Sequence, residues 1–401
     1  MTAIALLNVE NDPHLVADTL LSVQGRDPKS PRRVWLPALG FVSSEYQSLE
    51  GDWYIARLGR KTFFLPNGAG ILAFAGDCQA AFQFWAALSE KYLVREAYEP
   101  SFRMDSDFID QTIHQMGARG GLFSLLGVFV KAGGARTAYI HNRHVRMQTA
   151  NFGTCYISGS GSPLIAETIG DVDTALRSNG VWPKRYPISV TEDLAEHISS
   201  VMLYRDSDSR NGHTADSPLS HFTGGFYEWY RVSNTGVRPM APRVEINVVF
   251  DGGDVTITRA YYVEQLERRK DPGSHNDARE FPICVMNLLL DPYQTSVTSI
   301  DEFGHVIPLA NMRGVLASST LRSYDASEED RIDLAGPIYA EMLEKLFSTP
   351  YSVHRVRAVV MVNDRVKTRR FITFDDGLPD AALHYENGAL LLWLSARALT
   401  R

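Results

Sequence analysis

The chain begins with Met1 and Thr2 and continues at once into an apolar segment, residues 3–7. Thr2 is small enough for the initiator methionine to be removed after synthesis, which would leave a threonine hydroxyl beside a free α-amine. The hydroxyl is a nucleophile, and the amine, with an ordinary pKa of about 8, is a base suited to neutral pH. We therefore expect a fold organised around this first strand, with Thr2 as candidate nucleophile. The alternative is that residues 2–9 form an ordinary first strand.

Composition indicates a soluble globular protein. The 401 residues are enough for two domains, and 44% of them are hydrophobic and 22% charged. The formal net charge of −7 gives no reason to expect nucleic acid or an anionic membrane as partner. We expect no signal peptide, and the longest apolar run, residues 121–130, is too short to span a bilayer. The sequence therefore predicts a cytoplasmic protein.

The residues that usually hold metals show no suitable pattern. Cys78, Cys155 and Cys284 are scattered and odd in number, so they indicate neither a disulfide framework nor a zinc site. His354 and His384 lie in strand-like segments without a partner for metal binding, which favours a packing or surface role. We expect no metal and no cofactor.

The first part of the chain indicates a hairpin followed by a long connection. Residues 2–9 and residues 15–18 predict two strands joined by a turn at residues 11–13, and Asp18 ends the second strand. A carboxylate in this position is a helix cap, a solvated charge or a site residue. Residues 22–59 are rich in Pro, Ser and Arg, so we interpret them as an irregular surface excursion.

A junction between a strand and a helix follows. Residues 60–65 and 71–75 predict two strands, and Gly76 and Asp77 then open a helix, for which Asp77 is a suitable N-cap. Such a junction brings backbone N–H groups to the tip of the strand, where they could hold an oxyanion. Packing is the alternative reason for the glycine.

The remaining elements of residues 1–242 predict a layered α+β fold. Two strands are followed by a helix that starts near Pro163, a second helix, and a strand pair after Thr223-Gly224-Gly225. The order of strands, helix pair and strands is typical of two sheets between helical layers. The predicted segments are residues 122–130, 137–140, 191–204, 226–232 and 237–240.

Six short segments in this order carry a resemblance to a known family. They are Thr-x-Ile at 2–4, Val-Ala-Asp-Thr at 16–19, Arg-Lys at 60–61, Ile-Leu-Ala-Phe-Ala-Gly-Asp at 71–77, Ile-Ser-Gly-Ser-Gly-Ser-Pro at 157–163 and Thr-Gly-Gly at 223–225. With them, residues 2–240 resemble the β-type subunits of the proteasome and of its bacterial ATP-dependent homologue, which are N-terminal-nucleophile (Ntn) hydrolases. The resemblance implies an αββα four-layer sandwich and a threonine protease or amide hydrolase.

The resemblance also implies a role for each matching residue. Thr2 corresponds to the nucleophile, Asp18 and Lys61 to the buried pair beside it, Gly76 to the donor of the oxyanion hole, and Ser160 to the serine that orients the amine. This chemistry is coherent, because a buried lysine cation favours the threonine alkoxide and a carboxylate holds that cation in place.

Two departures from the family bear on this site. Leu21, Phe74 and Cys78 fall at the family's substrate-binding positions, but an insertion at about residues 26–51 falls where pocket residues are normally supplied. The family also has an aspartate three residues before its Ser/Thr-Gly-Gly motif. Here that position is Ser220, and Asp216 is the nearest acid.

The family resemblance ends near residue 242, and residues 243–401 predict a further α+β domain with hairpins and a helix at 325–347. For the first domain the resemblance implies a homo-oligomer, a peptide or protein substrate, and an ATPase or adaptor partner. Two alternatives stay open. One is a transpeptidase or small-amide hydrolase on the same fold, and the other is a non-catalytic ring or scaffold subunit.

Overall fold

In a computed structural model of the protein, the first apolar segment forms the centre of the largest sheet of the N-terminal part. Strand β1 (Ile4–Leu7) is fully buried and pairs antiparallel with β2 (His14–Asp18) on one side and with β13 (Thr154–Ser158) on the other. Ile4 lies opposite both Ala17 and Ser158. The hairpin predicted around the turn at residues 11–13 is confirmed.

The structure describes residues 2–29, 32–36, 40–48, 51–179, 189–209 and 218–240, and, further along, the strands whose bounds are given below. By its contacts the chain divides into two units, Met1–Met240 with Glu267–Phe281, and Ala241–Leu266 with Pro282–Arg401. The helix predicted at 325–347 and the acid Asp216 lie outside the described residues.

The first unit contains the hairpin, an insertion and two further groups of strands and helices. Its remaining strands are β3 (Leu20–Gln24), β4 (Arg33–Leu36), β5 (Gly40–Ser43), β6 (Glu45–Ser48), β7 (Gly51–Leu58), β8 (Thr62–Leu65), β9 (Gly70–Gly76), β10 (Phe123–Val130), β11 (Arg136–His141), β12 (Val145–Gln148), β14 (Tyr227–Ser233) and β15 (Gly236–Pro239). Its helices are α1 (Cys78–Tyr98), α2 (Ser106–Gln115), α3 (Ser162–Asn179) and α4 (Val190–Ser209). Short 3-10 helices span Pro66–Gly68, Gly117–Gly121 and Pro218–His221.

Two sheets of the first unit pack against each other. A six-stranded sheet has the order β12-β13-β1-β2-β14-β15, and a four-stranded sheet has the order β11-β10-β9-β8. One buried cluster takes its side chains from both sheets, for example Leu6 and Tyr230 from the first and Ile71 and Leu126 from the second. The hydrophobic effect therefore joins the two sheets face to face.

Helices pack on both sheets. Helix α1 begins where the Asp77 carboxylate accepts a hydrogen bond from the Ala80 N–H at 2.7 Å, as the N-cap prediction requires. Its buried face, with Phe84 and Leu88, packs on Phe123 of β10. Helices α3 and α4 contact the six-stranded sheet through strands β13 and β1 and strands β2 and β14, respectively. None of the helices in the described part of the chain is both long and apolar enough to cross a membrane.

The prediction that residues 22–59 are irregular is wrong. Strands β3, β7 and β6 form a three-stranded sheet, and β4 and β5 form a hairpin. Trp53 and Ile55 of β7 are buried, while Tyr54 and Ala56 beside them are less so. This alternation, with a period of two, is typical of a strand with one face against a core.

Polar residues of the insertion form an internal network instead of a solvated loop. The Arg32 Nε donates to Asp27 Oδ2 at 2.8 Å, and the Ser44 hydroxyl donates to the same oxygen at 2.8 Å. Arg32 also donates to the carbonyl of Ile55 at 3.0 Å. Side chains that suggested a surface loop therefore satisfy one another in the interior of the insertion.

The second unit is rich in strands. One sheet has the order β23-β20-β17-β16-β24-β25, with β21 also on β17, and another has the order β22-β27-β26. Strands β16 and β24 are parallel, whereas β16 and β17 form an antiparallel hairpin. The bounds are β16 (Arg243–Asp251), β17 (Asp254–Gln265), β20 (Ile283–Asn287), β21 (Tyr293–Ser296), β22 (His305–Asn311), β23 (Ser318–Leu321), β24 (Arg357–Asp364), β25 (Lys367–Ile372), β26 (Ala381–Glu386) and β27 (Ala389–Leu394). The short strands β18 (Arg268–Arg269) and β19 (Arg279–Glu280) pair within the first unit.

Candidate active site

The first hairpin brings Thr2 and Asp18 to the same end of the six-stranded sheet. Thr2 lies two residues before the start of β1 and is fully buried, and Asp18 is the last residue of β2. The Ala3 N–H donates to Asp18 Oδ1 at 2.9 Å, and the Asp18 N–H donates to the Ala3 carbonyl at 3.1 Å. The carboxylate is thus bonded to the residue that follows Thr2.

Lys61 forms a buried ion pair with Asp18. The Lys61 Nζ lies 2.8 Å from Asp18 Oδ1, and neither side chain has any exposed surface. Lys61 precedes β8, and its carbonyl accepts a hydrogen bond from the Phe74 N–H of β9 at 3.0 Å. The contact with Asp18 therefore links the ends of the two packed sheets. Because neither side chain reaches solvent, each charge is stabilised by the other, and removal of either one would leave an unpaired buried charge.

The neighbours of Lys61 hold the start of β8 in register. Arg60 and Thr62, whose side chains alternate with that of Lys61, both bind Glu228 of β14. The Arg60 Nε lies 3.1 Å from Glu228 Oε2, and the Thr62 hydroxyl donates to Glu228 Oε1 at 2.9 Å. Arg60 and Glu228 also contact the Tyr230 hydroxyl. This second buried network fixes the backbone from which Lys61 extends.

Ser160 contacts the backbone nitrogen of Thr2. The Thr2 N donates to Ser160 Oγ at 3.3 Å, and Ser160 Oγ donates to the carbonyl of His221. The Gly161 N–H donates to the Thr2 carbonyl at 3.2 Å. Gly159 has a φ of +100°, and a Cβ at this position would lie 1.9 Å from the Thr2 carbonyl oxygen. Only glycine allows the loop to approach Thr2 this closely.

A turn that follows the 3-10 helix Pro218–His221 connects Ser160 with Asp18. Its His221 carbonyl binds Ser160, and its Gly224 N–H donates to Asp18 Oδ2 at 3.1 Å. Between them Phe222 has a φ of +59°, a region that bulky residues rarely adopt. The turn therefore holds both the serine beside the amine and the carboxylate of the ion pair.

Asp206 is a buried acid at this turn that the sequence analysis did not find. It lies near the end of α4, is 2% exposed, and accepts a hydrogen bond from the Leu219 N–H at 3.0 Å. Its other oxygen is 3.0 Å from the position that a Cβ of Gly224 would take. A sequence signal existed, because Asp206 continues the i, i+4 spacing of the buried Ile198 and Met202 and is an acid on an apolar helix face.

Two tyrosines next to these acids keep their protons. Burial raises the pKa of the Tyr227 hydroxyl well above its ordinary value, and the nearby charges of Asp18 and Asp206 raise it further. Burial, with the same two carboxylates, raises the pKa of Tyr46 to about 12. Tyr46 belongs to β6 of the insertion, so the inserted sheet reaches the surroundings of Asp18.

Gly76 ends strand β9 at the end of the four-stranded sheet that also carries Lys61. It pairs with Phe123 and has a φ of +104°, and a Cβ there would lie 2.7 Å from the Leu122 carbonyl. The glycine is therefore required by the backbone at the start of α1.

The three predicted substrate-binding residues have different surroundings. Leu21 is 5% exposed, and a Cβ added to Gly59 would lie 2.7 Å from the Leu21 side chain. Phe74 is fully buried and stacks on Phe63, with ring centroids 5.3 Å apart. Cys78 is partly exposed at the start of α1, with its sulfur 3.9 Å from the Gly76 carbonyl. Of the three, Cys78 has the most accessible side chain.

Within the described part of the chain, no group of three or more His, Cys, Asp or Glu side chains is arranged to hold a metal ion. Compared with models of known protein families and with curated proteins, the chain matches none of them. The assignment of a function therefore rests on the geometry around Thr2.

Proposed function

We propose that the protein is an N-terminal threonine hydrolase that cleaves peptide bonds or related amides, with Thr2 as nucleophile after removal of Met1. The observation that carries this proposal is the contact set around Thr2. The Thr2 nitrogen bonds to Ser160, the next residue bonds to Asp18, and Asp18 pairs with the fully buried Lys61. Burying a lysine cation costs desolvation free energy, and a purely structural role does not explain why this ion pair lies next to the first residues of the chain.

In the proposed reaction the Thr2 hydroxyl attacks the carbonyl carbon of the scissile amide. Its proton passes to the α-amine of the same residue and from there to the leaving nitrogen, so the C–N bond breaks and an ester on Thr2 remains. Water then attacks the ester with the amine as base, which releases the acid and restores the hydroxyl. The Gly76 N–H is the proposed donor to the oxyanion of both tetrahedral intermediates.

The remaining groups act on the nucleophile and on the amine. The Lys61 cation stabilises negative charge that develops on the Thr2 oxygen, and Asp18 fixes the position of that cation at 2.8 Å. Ser160 accepts a hydrogen bond from the Thr2 N–H at 3.3 Å, and the same contact would orient the amine once Met1 is removed. Asp206 is proposed to hold the turn that orients Ser160.

We also propose that residues 1–242 adopt the αββα arrangement of Ntn hydrolases and that the protein acts in the cytoplasm as a homo-oligomer. Delivery of a folded substrate would then require an ATPase or adaptor partner. Native mass spectrometry of the purified chain measures the oligomeric state directly, and a monomer would contradict this part of the proposal.

The test of the chemistry combines the mass of the N-terminus with two variants. We expect the purified protein to begin at Thr2 and to be acylated there by a peptide β-lactone, as seen by intact mass and peptide mapping. Thr2→Ala should lose hydrolysis of fluorogenic peptides by about 10⁴-fold or more, because no nucleophile remains. Thr2→Ser, which keeps a hydroxyl and an amine, is the matched control and should retain measurable activity.

Retention of Met1 in an active preparation would refute the mechanism, since the amine would then be absent. A wild-type chain that starts at Thr2, is folded, and neither hydrolyses peptides nor reacts with the β-lactone would favour the non-catalytic alternative. Formation of a new amide in the presence of an amine acceptor would instead identify transfer as the reaction.

A further inference from the structure

The inserted sheet turns one face toward the turn that holds Ser160. Tyr46 of β6 and Trp53 of β7 are directly opposite each other in the antiparallel pair, so their side chains lie on the same face. Trp53, on the strand that follows the insertion, is 5% exposed. Strand β6 contacts the 3-10 helix Pro218–His221, which immediately precedes Phe222.

Trp53 packs on Phe222 of the turn. The two ring centroids are 4.3 Å apart with the planes at 48°. Phe222 has the left-handed backbone conformation, with a φ of +59°, which a bulky residue keeps only when its surroundings hold it there. Its N–H donates to the Leu219 carbonyl at 3.0 Å, and its ring meets the indole, so both the backbone and the side chain are held.

The conformation of Phe222 decides where the preceding carbonyl points. That carbonyl, of His221, accepts the proton of the Ser160 hydroxyl. A hydroxyl has one proton to donate and two lone pairs that accept. The Thr2 carbonyl is a second and more distant acceptor for this proton, at 3.5 Å. With its proton directed to a carbonyl, the serine accepts from the Thr2 N–H at 3.3 Å. The lone pair of a free amine would then stay available for the proton of the Thr2 hydroxyl.

We infer that Trp53 is a positioning residue for the amine of Thr2, acting through Phe222 and Ser160, and that strand β7 is therefore a working part of the active site. The inference rests on the proposed function. Without the indole, the turn loses the contact that fixes Phe222, and the Ser160 hydroxyl becomes free to donate to the amine. A hydrogen bond donated to the neutral amine disfavours its protonated form and occupies the lone pair that acts as base.

The ring, and not the indole N–H, carries this role. The Trp53 Nε1 is buried and has no hydrogen-bond partner among the residues that the structure describes. Trp53→Phe, which keeps an aromatic ring against Phe222, should therefore preserve the function, whereas Trp53→Leu should not. Trp85→Leu is the matched control, because Trp85 also stacks on a phenylalanine, Phe63, with centroids 4.5 Å apart, but in the cluster under α1.

The experiment measures the second-order rate at which a peptide β-lactone acylates Thr2, as a function of pH, with intact mass as readout. For Trp53→Leu we expect a rate about tenfold lower at the optimum and an acidic limb of the pH profile that moves to lower pH. Trp53→Phe and Trp85→Leu should keep the profile of the wild type and a rate within about threefold of it. A loss of packing alone would lower the amount of folded protein without moving the acidic limb.

If Trp53→Leu does not fold, Phe222→Ala removes the same contact from the other side and should give the same change in the pH profile. A folded Trp53→Leu or Phe222→Ala variant with the rate and profile of the wild type would overturn the inference and leave the proposed function standing. A wild-type protein with a free Thr2 that is not acylated would overturn both.

Discussion

Arg60 and Lys61 are neighbours in the chain, and each contacts a buried carboxylate, but the two ion pairs have different surroundings. Lys61 pairs with Asp18, whose oxygens also bind the backbone N–H groups of Ala3 and Gly224. Arg60 pairs with Glu228, whose oxygens also bind side-chain hydroxyl groups of the same strands. The pair of Lys61 and Asp18 is hydrogen-bonded to backbone N–H groups next to Thr2, whereas the pair of Arg60 and Glu228 cross-links two strands.

The alternation of side chains along an extended backbone produces this division. Arg60 and Thr62 extend to one side and meet Glu228 of β14, while Lys61 between them extends to the other side and meets Asp18 of β2. Two adjacent cations can therefore serve different ends, since Arg60 cross-links two strands and Lys61 binds the carboxylate that is bonded to the residue after Thr2. The difference suggests that loss of the first costs stability and loss of the second costs activity.

The largest expected effect comes from Lys61→Met. Without the cation, charge that develops on the Thr2 oxygen is not stabilised, and we expect the rate of peptide hydrolysis to fall by about 10³-fold. The fully buried Asp18 would also lose its counter-ion, which lowers the free energy of unfolding by about 3–5 kcal/mol. Activity per folded molecule and urea unfolding measure the two effects separately.

A double variant separates these two causes. Lys61→Met with Asp18→Asn removes both charges, so it should recover most of the stability and none of the activity. Recovery of hydrolysis in this variant would show that Lys61 acts only by keeping the fold intact, and the contrast between the two ion pairs would then disappear.

A smaller effect on activity is expected for Arg60→Met. Glu228 is fully buried, and loss of its cation should lower the free energy of unfolding by about 3 kcal/mol. Because Lys61 and Asp18 keep their contact, the activity of the folded fraction should stay within about threefold of the wild type. Arg60→Met with Glu228→Gln, which removes both charges, should restore the stability. A loss of activity in folded Arg60→Met as large as in Lys61→Met would contradict the comparison.

Part of this site could be expected from sequence because its members lie on regular, strongly patterned strands. The hairpin of β1 and β2 follows from apolar residues around a Pro turn, and it brings Thr2 and Asp18 to one end without help from other elements. The cap at Asp77 and the turn of Ser160 also follow from local rules. Pairing of Lys61 with Asp18 came from the resemblance to a family.

The rest depends on contacts between segments that are distant in the chain. Asp206 reaches the turn only because α4 packs on β2 and β14, and its N–H partner Leu219 lies on a separate 3-10 helix. The strands of the insertion were hidden by a composition rich in Pro, Ser and Arg, but Arg32 and Ser44 bind Asp27 instead of facing solvent. The contact of Trp53 with Phe222 has no local signature in either segment. Composition describes such regions as loops because it does not contain their partners.

At the end of β2 opposite to Asp18, His14 is buried without a buried counter-ion among the residues that the structure describes. Burial lowers the pKa of His14 to about 4, and the nearby carboxylate of Asp12 only partly opposes this, since Asp12 also binds Arg231 at 2.8 Å. The imidazole is therefore neutral in the folded protein, with its Nδ1 hydrogen-bonded to the Asp12 carbonyl at 2.8 Å.

The sign of the pH effect follows from where the proton binds. Below an ordinary pKa of about 6.5 the unfolded chain takes up a proton at His14 that the folded chain refuses until about pH 4, so stability is lost as the pH falls between these values. We expect this histidine to lower the free energy of unfolding by about 2 kcal/mol at pH 5 relative to pH 7. His14→Gln keeps a hydrogen-bond donor but does not titrate. It should therefore reduce the change in the free energy of unfolding between pH 7 and pH 5 by that amount, as measured by urea unfolding. His144→Gln, at an exposed position, is the control and should leave this change as it is in the wild type. If both variants changed the pH dependence of the unfolding free energy equally, the acid sensitivity would not come from the burial of His14.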